Sequence, residues 1–151
     1  MTRKRAATLA AERQRRGASK NTLRAHHEVL DELALAPVAF LEIGATWLPY
    51  YLDRLDEHWE KRAQFEMPLL EEKPSELVRK SEVYFSIEPG ESQLAHAIEY
   101  LGADHFLFAS DIPHWDCEFP GNLQHLRNHS ALSAEVKEKI LYQNAKRLFN
   151  L

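Results

Sequence analysis

The sequence predicts an α/β chain built around a parallel sheet, and three observations predict it. Short apolar runs recur at Val38-Ala39-Phe40-Leu41, Val83-Tyr84-Phe85-Ser86-Ile87 and Phe106-Leu107-Phe108-Ala109. The last is apolar at four successive positions, as in a strand covered on both faces rather than an alternating surface strand. Segments with helical spacing separate the runs, the alternation expected of strand-helix units. The runs also stop on polar chemistry: Glu42, then Glu88-Pro89-Gly90, then Asp111-Ile112-Pro113-His114. In a (β/α) barrel the carboxyl ends of the strands carry the reacting groups, because the loops there vary while the packed strands hold their ends rigid.

Composition bounds the possibilities. The chain has 151 residues, 44% hydrophobic and 28% charged, which suits one soluble domain with a real core. A whole (β/α)8 barrel takes about 250 residues, so only part of one fits. The net charge of −4 hides an asymmetry, because residues 1 to 24 hold eight Lys/Arg against one Glu and the rest is acidic. The single cysteine, Cys117, permits no internal disulfide and fits the cytoplasm. No apolar run reaches the roughly 18 residues of a membrane span, and no apolar core follows the basic start as a secretory signal requires.

Taken in order, residues 1–36 form a basic leader, with helix formers from Ala6 to Arg16 and a second helix predicted from Thr22 to Ala36. It lacks interleaved aromatics for stacking on bases, so a solvated leader is expected rather than a nucleic-acid arm. His26 and His27 are adjacent and do not share a helix face. Residues 37–151 hold the strand-helix units. After the first strand, Leu48, Tyr51, Leu52, Leu55 and Trp59 recur at helical spacing, with Pro49 tolerated in the first turn. Residues 62–80 are charged and contain Pro68 and Pro74, predicting a long insertion and then a short helix led by Ser75.

Beyond the second strand, Glu91 to Leu101 reads as a helix with Leu94, Ala97, Ile98 and Leu101 inward and Gly102 as terminator. His96 beside that stripe is expected to be partly buried. His105 precedes the third strand, at the end opposite Asp111, where a structural role is expected. Asp116 to Asn122 reads as a turn-rich loop able to cover the site, followed by His125 and His129 in a polar, solvent-exposed segment. Their spacing of four fits one helical face, but no Glu follows His125 as in the metalloprotease pattern. Ser133 caps a final helix with Val136, Ile140 and Leu141 inward.

Three stretches carry a resemblance. Ala109-Ser110-Asp111-Ile112-Pro113-His114 resembles the last barrel strand of amidohydrolase family 2, within the metal-dependent amidohydrolase superfamily that includes aminocarboxymuconate-semialdehyde decarboxylase-like enzymes. Leu41-Glu42-Ile43-Gly44 through Trp47-Leu48-Pro49-Tyr50 to Glu57 resembles its sixth strand and helix. The ending from Leu132-Ser133 through Asn144-Ala145-Lys146-Arg147-Leu148-Phe149 is similar to its terminal helix.

The resemblance implies a partial (β/α)8 TIM barrel of about three C-terminal units behind the helical leader. It also implies divalent-metal chemistry, with zinc or manganese, of the hydrolase or decarboxylase kind on a small carboxylate or amide. By resemblance Asp111 is the metal ligand and helps activate a water, Glu42 stands where many relatives carry an acid/base histidine, and His114 joins them as a catalytic candidate. Glu42 pairing with Arg54 or capping the helix is the competing reading. The family's His-x-His pair is nowhere in the sequence. Asp111 with His114 supplies at most two ligands, and catalytic zinc ordinarily takes three. The expectation is therefore a truncated barrel, silent alone, with open strand edges and an exposed apolar face unless a second copy completes it. A non-catalytic binding module using the leader is the alternative.

Overall fold

The computed structural model describes residues 37–151, so residues 1–36, read above as a leader, lie outside the described part. Three strands form one parallel sheet in the order β1 (Val38–Phe40), β2 (Val83–Ile87), β3 (Phe106–Phe108). The register aligns Phe40 with Phe85, and Phe85 with Phe106. Every residue of central β2 is buried, as a parallel strand covered on both faces must be. The predicted α/β class and its strands are present, each within a residue of its expected bounds.

Helices α1 (Leu48–Glu66) and α2 (Pro74–Lys80) connect β1 to β2, and α3 (Leu94–Leu101) connects β2 to β3. Leu48, Leu52, Leu94, Ala97, Ile98 and Leu101 pack with Phe85, Ile87 and Phe106 in one core. Helix α1 runs well past Trp59, into a stretch expected to be insertion. The exposed i,i+4 pairs Lys61–Glu57 and Arg62–Glu66 extend it. Ser75 does not lead α2 as a cap. Its N–H and hydroxyl instead donate to Asp56 at 2.9 and 2.6 Å, locking α2 onto α1.

One further expectation fails. His96 points to solvent rather than into the core. The polar segment after the third strand forms a helix, α4 (Gly121–Asn128), on which Leu126 is fully buried. A single buried anchor per two turns leaves too little periodicity to read from sequence.

The terminal helix begins as α5 (Ala134–Glu138), widens into a π-helical turn over Lys139–Gln143, and ends as α6 (Asn144–Phe149). Ser133 caps it as predicted, its Oγ accepting the Val136 N–H at 3.2 Å. Buried Asn144 donates to the Ala103 and Phe106 carbonyls at 2.7 and 2.8 Å. His105 is buried with its Nδ1 2.8 Å from the Val83 carbonyl, so that nitrogen carries the proton. These bonds close the amino-terminal end of the sheet and leave the carboxyl end free for chemistry.

Candidate metal centre

Each strand of the sheet delivers a carboxylate just past its carboxyl end: Glu42 after β1, Glu88 after β2, Asp111 after β3. Glu42 and Asp111 both have positive φ, 62° and 58°. Non-glycine residues seldom adopt that conformation, and such strain, about 1–3 kcal/mol each, gathers at functional sites. The structure holds both in place. The Glu42 N–H donates to Ser86 Oγ at 2.9 Å, tying the end of β1 to β2. Past Asp111, the chain folds back so that the His114 N–H bonds the Asp111 carbonyl at 2.9 Å.

That turn overcomes the intervening proline. His114 Nδ1 lies 3.4 Å from Asp111 Oδ1, and Glu42, Asp111 and His114 bring ligand-type atoms within 4.8 Å of one another. The structure thus brings Glu42 beside the two candidate ligands expected from sequence. All three side chains are exposed. Arg54, the alternative partner of Glu42, pairs with Glu57 on its own helix instead. Two carboxylates and an imidazole form a donor set suited to zinc or manganese, so the residues present fit the divalent metal that the resemblance implies.

Glu91 was not singled out from sequence, yet it shapes the site. Its carboxylate accepts from the Ala45 N–H (2.9 and 3.0 Å), the Thr46 N–H (2.9 Å), the Thr46 hydroxyl (2.9 Å) and the Glu88 N–H (3.2 Å). It thereby clamps the loop after β1 to the loop after β2. Gly44 makes this possible, since with φ +63° a Cβ there would sit 2.6 Å from Glu91 Oε1. Only tertiary contact over 46 positions reveals the pairing; the sequence signal was Gly44 itself, two residues past a strand-end carboxylate.

Among the described residues, carboxylates gather along this rim. Burial, then the charges of Glu91, Asp111, Glu118 and Glu42, push the Glu88 carboxyl above its ordinary value. On the far side, the Ser110 carbonyl accepts from the Cys117 thiol at 3.0 Å and the Asn122 amide at 3.5 Å, pinning the loop that carries His114. Apolar side chains flank the three candidate residues: Leu41 and Ile43 beside Glu42, Ile112 and Trp115 beside Asp111 and His114, all exposed, Trp115 at 95%.

A sequence profile of the amidohydrolase family matches residues 21–151. Among solved structures, the 5-carboxyvanillate decarboxylase LigW of Sphingomonas paucimobilis is similar, with TM-score 0.66 and 23% identity over 82% of this chain. A protein described as an amidohydrolase II gives TM-score 0.61 and 24% identity over 83% of this chain. An amidohydrolase from Mycobacterium avium subsp. paratuberculosis K-10 gives 0.64 and 18% over the whole chain. The match covers only 36%, 39% and 40% of those three chains, respectively. No curated protein matches it significantly.

Proposed function

The chain belongs to the amidohydrolase family, and from that premise we propose that it carries part of a divalent-metal site for hydrolysis or decarboxylation of a small carboxylate or amide, in the cytoplasm. The observation that carries this reading is the convergence of Glu42, Asp111 and His114 within 4.8 Å across the carboxyl edge of the sheet. Asp111, with His114 and Glu42 beside it, would hold the metal. When bound, that cation supplies Lewis-acid polarisation of a carbonyl or carboxylate oxygen.

The chain's own groups do the rest. The carboxylate of Glu42 is placed to take up or return a proton at one of its oxygens, its backbone fixed by Ser86. Asp111 Oδ1 and His114 Nδ1 lie 3.4 Å apart, so both can face one cation. Glu91 keeps the Glu42 loop from drifting, the positioning that proton transfer requires. Leu41, Ile43, Ile112 and Trp115 form an apolar rim that favours an apolar or aromatic body on the substrate, and that makes association with a second copy the expected means of shielding the site.

The described residues provide three strands in an open sheet, with β1 and β3 as its two edges. The 151-residue chain is therefore expected to bind metal and to turn over no substrate by itself. Manganese titration followed by electron paramagnetic resonance tests the metal half. Asp111→Asn, Glu42→Gln and His114→Ala should each weaken binding at least tenfold. Unchanged affinity in all three would remove the centre on which the function depends.

A further inference from the structure

A shallow cavity of about 570 Å³ lies along α4 and past its carboxyl end, lined by Gly121, Gln124, His125, Asn128, His129 and Ser130. None of its lining residues belongs to the Glu42–Asp111–His114 group. His125 lies on α4, and His129, four residues on, follows the helix as its carboxyl cap, with extended backbone and its N–H bonded to the Leu126 carbonyl at 3.2 Å. His129 Nδ1 is buried, and among the described residues it is the buried side-chain nitrogen or oxygen without a hydrogen-bond partner. With Nδ1 enclosed, Nε2 is the nitrogen through which His129 can engage a ligand.

The chemistry of the lining selects the ligand. It holds two imidazoles, two carboxamides and a hydroxyl, with neither a carboxylate nor a lysine or arginine. The cavity faces the last turn of α4, where free carbonyls carry the negative end of the helix dipole and favour cations over anions. One of those carbonyls, that of Arg127, already draws the Lys137 ammonium at 2.9 Å. Imidazole with amide oxygen suits zinc, nickel or copper rather than the oxygen-seeking magnesium or calcium. We propose that His125 and His129 form a second metal site for a divalent zinc, nickel or copper ion, with an amide oxygen of Gln124 or Asn128 and water completing the coordination.

Nickel titration by calorimetry on tag-free protein carrying Asp111→Ala isolates this site from the strand-end centre. One nickel ion per chain is expected. Affinity should fall at least tenfold in His125→Ala, and likewise in His129→Gln, which keeps a polar side chain at the half-buried position should alanine unfold it. Substoichiometric copper should broaden the backbone amide resonances of His125 and His129 first. Nickel binding that is absent, or that survives both substitutions undiminished, overturns the site and says nothing against the centre at Asp111.

Discussion

At the scale of single residues, the site is defined by backbone that its side chains would not choose. Glu42 holds φ 62°, where glycine carries no Cβ penalty. Glu42→Gly is therefore expected to raise stability by up to about 1 kcal/mol in urea unfolding, while weakening manganese binding. A loss of stability would show that the conformation is unstrained. Gly44→Ala should do the reverse, costing about 1–3 kcal/mol, because its Cβ would meet Glu91 Oε1 at 2.6 Å. Glu88 adds a pH dependence. Its carboxyl pKa is raised above 4.5 in the fold, so the folded state binds that proton more tightly than the unfolded chain. Stability from this group is present at acid pH and declines as pH rises through 4.5 and above. Glu88→Gln should flatten that part of the pH–stability profile, and a bound cation should lower the Glu88 pKa. Asp111 was legible in the sequence because it ends an apolar strand. Glu91 was not, because what it does is fixed by partners 45 and 46 residues away.

At the scale of elements, strands and the larger helices were readable from burial and spacing, and the exceptions share a cause. Residues 62–66 continue α1 through ion pairs that carry no apolar signal, and α4 has one buried anchor, Leu126. His114 joins Asp111 through a tight turn whose geometry no spacing rule states. Packing between elements yields two expectations. Asn144 ties α6 to the carbonyls of Ala103 and Phe106, so Asn144→Ala leaves two acceptors without their donor and should cost about 1–3 kcal/mol in denaturant unfolding. Tyr100 on α3 donates to Asp53 on α1 at 2.7 Å, and burial with that hydrogen bond pushes its pKa up to about 12. The link is intact below pH 10 and should be lost as pH rises from 10 to about 12. Tyr100→Phe should lack this alkaline loss when unfolding is followed against pH.

For the whole molecule, three parallel strands amount to about three-eighths of an eight-stranded barrel, in keeping with the share of each solved relative that this chain spans. The amino-terminal end of the sheet is closed by His105, Asn144 and Arg147, the last bonding the Tyr84 hydroxyl at 3.0 Å. Its carboxyl end is acidic, exposed and bordered by Ile112 and Trp115. If a second copy covers that rim, sedimentation should show a dimer that Trp115→Asp shifts to monomer. Among the described residues no helix is long and apolar enough to cross a membrane. Everything claimed for function depends on the strand ends gathering a cation. The most direct test is the zinc and manganese content of freshly purified protein carrying His125→Ala, which removes the site proposed beside α4, with and without Asp111→Ala. Close to one metal ion per chain is expected, lost with Asp111→Ala. Metal near zero in both proteins, or equal in both, would contradict it.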